Sequence, residues 1–225
     1  DPKKTIDYDE ALAERIDRLV TELGADGKLV LDVDGAVRQV TLLEKLLVPL
    51  LGKLGNLVVD GGIWMNTQRP EWNDANNALV GHGVSMVTLY YMRRYVRFLQ
   101  DLLADERDPV ELSAEVARWL SDTATALAGL HPLLGGGPID AGQRWRSLEE
   151  LGLAASRYRE SVYREPAFSG KLRRRPAEIM GLLDDALAAI DHTIRTNRRE
   201  DGAYHAYNLL DLQPGEVRVD PLYLM

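Results

Sequence analysis

The sequence predicts an all-α fold of paired helices with one small β-hairpin. Two observations carry this prediction: six segments repeat apolar residues at the i, i+3, i+4 spacing of a helix face, and few segments alternate as a strand does. The chain has 225 residues, which is enough for one large domain. Its strongest linker candidate, residues 135–138, is flanked by helices of the same type, so we interpret residues 1–225 as a single domain.

Three helical segments lie in the first half of the chain. An apolar stripe over residues 6–23 gives the first. A capping-box pair, Thr41 and Glu44, opens the second, which reaches residue 52. The third covers residues 85–103 and is rich in aromatic side chains. Each of these segments predicts a helix with one apolar face.

Three more segments of this kind follow, at residues 110–130, 147–162 and 176–194. The last begins with Pro176, which suits a first helical turn because its missing N–H would have no partner there. The whole pattern is typical of a mostly helical protein.

Strand signals are few. Residues 29–33 and 37–41 flank Asp34-Gly35, a dipeptide typical of tight hairpin turns. Residues 216–219 alternate over too few positions to predict a strand. We therefore expect one small hairpin.

Composition excludes several classes of protein. Acidic residues number 35 against 27 basic ones, a net charge of -8, which argues against a nucleic-acid partner because such binders need a basic surface. No apolar run approaches the roughly 20 residues of a membrane span. Cysteine is absent, and the four histidines show no metal-ligand spacing, so we expect no metal and no cofactor. His131 and His192 have the positions of ordinary helix residues. We expect a cytoplasmic protein, with a removed signal peptide as the alternative because the chain begins at Asp1.

A long connection, residues 53–84, separates the second and third predicted helices. Irregular segments of this length inside a compact domain tend to be functional. The connection is dense in side chains that bind sugars, namely Trp64, Asn66, Gln68, Arg69, Glu71, Trp72, Asn73, Asp74, Asn76, Asn77 and His82.

Asp74 is the candidate for acid catalysis in this connection. A carboxyl group held against an indole such as that of Trp72 loses hydration, which favours its neutral form and suits it to protonate a glycosidic oxygen. The indole also offers an apolar face for a pyranose ring. The structural alternative is a polar loop in which Asp74 caps a turn and Trp72 packs in the core.

Two stretches of the chain resemble sugar-active enzymes. The stretch 71–77, Glu-Trp-Asn-Asp-Ala-Asn-Asn, followed by Gly81 and Ser85, resembles the cellobiose-phosphorylase-like family of inverting glycoside phosphorylases. The stretch 199–208, Arg-Glu-Asp-Gly-Ala-Tyr-His-Ala-Tyr-Asn, is similar to stretches of related sugar-active helical barrels. The two stretches are far apart and in a plausible order.

The resemblance implies both a fold and an activity. The fold would be an (α/α)6 barrel; since six helices are half of its twelve, we expect a half or partial barrel, or one domain of a longer enzyme. The activity would be cleavage of glycosidic bonds with inversion, by water or by phosphate, on an oligosaccharide or disaccharide. By position, Asp74 would be the proton donor and Trp72 a wall of the sugar subsite.

An inverting hydrolase also needs a second carboxylate, roughly 6.5–9.5 Å from the acid, to activate water. Glu71 and Glu200 are the candidates, together with Asp201; the structural alternative is that Asp201-Gly202 forms a turn after the sixth helix. The predicted substrate-binding residues are Trp64, Arg69, Trp72, Asn73, Asn76, Asn77, His82, Tyr204, His205 and Tyr207.

A function of another class remains open. A non-catalytic helical module could bind a glycan or a partner protein through the same connection. The sequence leaves the oligomeric state undetermined.

Overall fold

A computed structural model describes residues 8–67, 74–164 and 167–223. The helices in these ranges are α1 (Glu10–Leu23), α2 (Leu42–Leu54), α3 (Asp74–Leu79), α4 (Met86–Leu103), α5 (Ala114–Ala128), α6 (Ala141–Arg164) and α7 (Pro176–Thr196). The strands are β1 (Leu57–Val58), β2 (Gly62–Trp64), β3 (Gly83–Ser85), β4 (Val110–Ser113), β5 (Lys171–Arg174), β6 (Tyr207–Gln213) and β7 (Glu216–Pro221).

The strands form two antiparallel sheets. The larger has five strands in the order β1-β2-β3-β6-β7, and β4 and β5 pair to form the smaller. The prediction of an all-α fold, and of half an (α/α)6 barrel, is therefore wrong: the chain is a mixed α/β protein in which helices surround a sheet.

The first three strands of the large sheet carry no alternating pattern. Strands β1, β2 and β3 have two or three residues each, and almost all of those residues are buried. The turn that joins β1 to β2 contains Asp60 in a left-handed conformation with φ 64. At Gly62 (φ 125) a Cβ would lie 2.9 Å from the backbone of Ser85, so glycine permits β2 and β3 to pair there.

The large sheet is covered on both faces. One face packs against Leu148 of α6 and includes Val58, Val84, Leu210 and Val217. The opposite face contributes Ile63 to the main core, which lies among α2, α4, α5, α6 and α7. In that core α4 packs against α7, and α5 packs against both α6 and α7.

Several predicted helix starts are confirmed. The side chain of Thr41 accepts a hydrogen bond from the Glu44 N–H, and that of Ser85 caps α4 in the same way. Pro176 is the first residue of α7. These starts depend on local capping chemistry, which a sequence displays directly.

Three helices begin elsewhere than predicted. The first begins at Glu10, where the Asp9 side chain caps it by accepting from the Leu12 N–H. Residues 110–113 form β4 instead of a first helical turn, because they pair with β5 and the buried Glu44 accepts a hydrogen bond from the Ser113 N–H (2.7 Å). The fifth predicted helix begins at Ala141, since the Asp140 side chain accepts from the Gln143 N–H and caps it there.

The predicted hairpin at Asp34-Gly35 is reduced to one bridge, between Leu31 and Val37. Gly35 has φ 79, as such a turn requires, but the flanking residues form no regular strands. Among the described residues we find no helix with both the length and the apolar character of a membrane span.

Candidate functional site

Asp74 opens the short helix α3 and is exposed. Asn76 and Asn77 are half-buried on the same helix, which lies in the connection between β2 and β3. Four predicted site residues lie outside the described residues: Arg69, Glu71, Trp72 and Asn73. The predicted contact between an indole and the Asp74 carboxyl group therefore stays a prediction.

Trp64, the last residue of β2, lies in a cleft of about 370 Å³ between β2, the end of α2 and α6. Its indole N–H donates to the Gly81 carbonyl oxygen (3.0 Å), which fixes the plane of the ring. The cleft is lined by Gly55, Asn56, Trp64, Asn66, Trp145, Leu148, Glu149, Gly152, Leu153, Ala155, Ser156, Arg159 and Leu212.

Two asparagines form the polar side of this cleft. The Asn66 amide donates to Asn56 Oδ1 (2.7 Å), and the Asn56 amide donates to the Gly52 carbonyl oxygen (3.1 Å) at the end of α2. One end of each amide is thereby fixed, and both residues are half-buried at the cleft surface.

Small residues let α6 approach the end of α2 beneath the cleft. A Cβ at Gly55 would lie 2.7 Å from the Ala155 Cβ, so no larger residue fits at that position without displacement. On α6, the cleft is flanked by Glu149 and Arg159, both exposed, and the guanidinium of Arg159 donates to Ser156 Oγ (2.9 Å). The lining therefore carries one negative and one positive charge.

The second motif begins with a tight turn. The Arg199 guanidinium pairs with the Asp201 carboxylate (2.8 Å), and Asp201 Oδ1 accepts from the Ala203 N–H (3.0 Å). Gly202 has φ 83, a left-handed conformation that favours glycine. Asp201 therefore stabilises a turn, as the structural alternative predicted, while Glu200 is exposed on it.

Aromatic residues follow this turn and pack on α4. The Tyr204 ring meets the Tyr90 ring edge-on, with 6.1 Å between centroids. The Tyr90 hydroxyl donates to the carbonyl oxygen of His205 (2.8 Å), and burial, with a smaller contribution from Tyr204, raises the pKa of Tyr90 to about 12. The buried His205 ring meets that of Tyr223 edge-on.

Tyr204 borders an open groove of about 540 Å³ between α4 and α7. Its lining comprises Tyr90, Arg93, Asp191, Ile194, Arg195 and Tyr204. An ion pair between Arg93 and Asp191 closes part of this surface, because it joins the two helices.

The large sheet pairs a strand that follows the first motif with a strand that begins at the end of the second. Strand β3, which follows the first motif, pairs with β6, which holds the end of the second: Val84 lies opposite Asn208, and Ser85 opposite Tyr207. The carbonyl oxygen of His82 also accepts from the Leu210 N–H (2.7 Å).

The predicted binding residues are nevertheless divided between two places. Trp64 lies in the cleft against α6, whereas Tyr204 lies in the groove between α4 and α7. Tyr207 is half-buried at the start of β6.

A buried network of charged groups was missed by the sequence analysis. The Arg144 guanidinium donates to Asp60 Oδ2 (2.9 Å) and to three carbonyl oxygens, those of Val59, Ile139 and Val217. Asp60 and Arg144 are each only 7% exposed. One side chain of α6 therefore holds the β1–β2 turn and β7 in place.

His192 completes this network, so its interpretation as an ordinary helix residue is wrong. It is fully buried, with Nε2 3.0 Å from Asp60 Oδ1 and Nδ1 3.1 Å from the Leu134 carbonyl oxygen. Both ring nitrogens face oxygen atoms, so the ring is fixed between the Asp60 carboxylate and a carbonyl group.

Asn208, the last residue of the second motif, also belongs to this network. Its amide donates to the Gly61 carbonyl oxygen (2.8 Å) and to Asn197 Oδ1 (2.7 Å), and the Asn197 amide donates to the Asp60 carbonyl oxygen (2.7 Å). Apolar periodicity could not reveal these residues, because they are polar side chains on inner faces. The only sequence signal was the motif that ends in Asn208.

The sequence was compared with protein-family models and with curated proteins, and neither comparison found a match. Within the described part of the chain, no group of three or more histidine, aspartate or glutamate side chains is arranged to hold a metal ion.

Proposed function

We propose that the chain is a carbohydrate-active enzyme, or one domain of it, that cleaves glycosidic bonds with inversion. The observation that best supports this proposal is the pairing of β3, which follows the first motif in the sequence, with β6, which begins at the end of the second. The exposed position of Asp74 on α3 also leaves its carboxyl group open to a substrate.

In the proposed reaction, Asp74 gives its proton to the glycosidic oxygen as the bond to the anomeric carbon breaks. As that bond breaks, a water molecule attacks the anomeric carbon from the opposite face, and Glu71 or Glu200 accepts the proton of the water. In the phosphorolytic form, a phosphate oxygen attacks instead, and the product is a sugar phosphate. Trp64, Trp72 and the neighbouring asparagines would bind the hydroxyl groups and the apolar faces of the sugar.

The test is a screen of disaccharides with and without inorganic phosphate, following free sugar and sugar phosphate. Asp74→Asn should lower turnover about 10²–10⁴-fold, because it removes the general acid. Asp101→Asn makes the same change at an exposed position on α4 and should have no effect. Full activity of Asp74→Asn would reject the assignment, and saccharide binding without turnover in the unaltered chain would favour the binding module.

A further inference from the structure

We propose that the cleft between β2 and α6 is a binding site for one or two uncharged pyranose rings, walled by Trp64 and Trp145. The proposal shares its sugar chemistry with the proposed function but needs no proton donor. It can therefore hold where the proposed catalysis fails.

The apolar side of the cleft suits the C–H face of a pyranose. Trp64 and Trp145 are both half-buried, so part of each indole is open to the cleft. Neither indole packs on another aromatic ring within the described ranges, in contrast to Trp119, which stacks on Tyr158 in the core with 4.2 Å between centroids. Aromatic faces left open in a concave surface are typical of sites that bind ligands with an apolar side.

The polar side of the cleft suits hydroxyl groups. The bond between Asn66 and Asn56, with that from Asn56 to the end of α2, holds both amides in a fixed orientation. Each amide group keeps further hydrogen-bonding capacity, since an asparagine side chain has two donors and two acceptor positions. A sugar hydroxyl group both donates and accepts hydrogen bonds, so it is complementary to an amide group, which also does both.

Charge and size specify the ligand further. Glu149 and Arg159 contribute one charge of each sign, so the lining favours a neutral polyol over a phosphate or an amine. The volume of about 370 Å³ lies at the small end of ligand sites, which suits one or two sugar rings and excludes a folded partner.

Gly152 offers a way to fill the cleft without damage to the fold. It lies within α6, and a Cβ at this position would meet one atom, the Gly55 carbonyl oxygen at 3.9 Å. Gly152→Leu would place its side chain in the cleft while improving helix propensity. Gly181→Leu is the matched control: it makes the same change within α7, where a Cβ meets nothing within 4 Å.

The experiment measures binding of cellobiose, maltose and lactose by calorimetry and tryptophan fluorescence, with cyclohexanol as an apolar ring and inorganic phosphate as an anion. We expect saturable binding of at least one disaccharide, weakened more than tenfold by Gly152→Leu and unchanged by Gly181→Leu. Glu149→Gln should weaken it roughly tenfold through loss of a charged hydrogen bond, and Glu150→Gln, on the adjacent exposed residue, should not.

Three results of this experiment would contradict the proposed binding site. The proposal is overturned if no disaccharide binds, if only cyclohexanol or phosphate binds, or if Gly152→Leu binds sugar as the unaltered chain does. Asp101→Asn, at an exposed position on α4 outside the cleft, should retain sugar affinity within about twofold. Sugar binding without turnover in the unaltered chain would reject the proposed catalysis and leave this site standing.

Discussion

The turn before β2, at Asp60, and the cleft at the end of β2, at Trp64, lie four residues apart. Polar side chains are buried in the first region, whereas in the second they lie at an open surface. At Asp60, buried charged and amide groups hydrogen-bond to one another, although Asn208 Oδ1 has no partner within the described residues. At the cleft, Asn56, Asn66 and Glu149 lie at a surface with capacity to spare. Polar residues that satisfy one another maintain a fold, whereas polar residues held in place beside open aromatic faces are available to a ligand.

The largest effect expected from this comparison is at Arg144. Arg144→Met should lower the free energy of unfolding by about 3–5 kcal/mol, because it leaves Asp60 and several carbonyl groups buried without their partner. Urea denaturation followed by circular dichroism measures this. Arg146→Met, at an exposed position on α6, should change the unfolding free energy by less than about 0.5 kcal/mol. If both variants changed the unfolding free energy by the same amount, the buried network would stabilise the fold no more than an exposed residue does, and the comparison would fail.

A smaller effect on stability is expected at Glu115, because only one oxygen of its buried carboxylate has hydrogen-bond partners in the described ranges. It is buried; Oε1 accepts from the N–H (3.0 Å) and the hydroxyl (2.6 Å) of Ser169, while Oε2 has no partner within the described residues. Burial alone would raise the pKa of Glu115, but the bonds from Ser169 and the charge of Arg118 outweigh it and lower the pKa.

Ser169→Ala should therefore cost about 1 kcal/mol of unfolding free energy near neutral pH. A carboxyl group whose pKa is lowered on folding stabilises the protein above its unfolded pKa, and the stabilisation disappears as the pH falls through the folded value. The difference between the variant and the unaltered chain should shrink in acid, as urea unfolding across the range from neutral pH to about pH 3 would show. Ser161→Ala, whose hydroxyl donates to a helix carbonyl group, should show no such trend.

The smallest effect on stability is expected at Asn66. Asn66→Ala removes a half-buried amide bond and should lower the unfolding free energy by less than about 1 kcal/mol. The same variant should weaken disaccharide binding at the cleft several-fold. A large loss of stability with unchanged binding would assign Asn66 to the fold and contradict the comparison.

The sequence predicted the helices better than the sheet, for a physical reason. The starts at Thr41, Ser85 and Pro176 depend on capping and on periodicity within a few residues. The three shortest strands pair with one another and, through β3, with β6 from the far end of the chain. Pairing over such distances leaves no local signal in strands of two or three buried residues.

The residues of the candidate site were likewise only partly predictable from the sequence. Trp64 was selected from the sequence because it lies in a long polar connection, and the structure places it in a cleft. Trp145, Glu149 and Gly152 were missed, because on α6 they look like any other positions of an amphipathic helix. Only the packing of α6 beside β2 turns them into a surface that faces Trp64.

The central place of β3 in the large sheet also has a consequence for biosynthesis. Its partner β6 follows more than a hundred residues later in the chain, so the edge of β3 has no strand to pair with until β6 has been synthesised. A chain that stops before Tyr207 would expose buried valine and backbone groups on that edge, which favours aggregation. Strands β6 and β7 thus complete the sheet, and products that end before Tyr207 should be insoluble even though the described helices precede that residue.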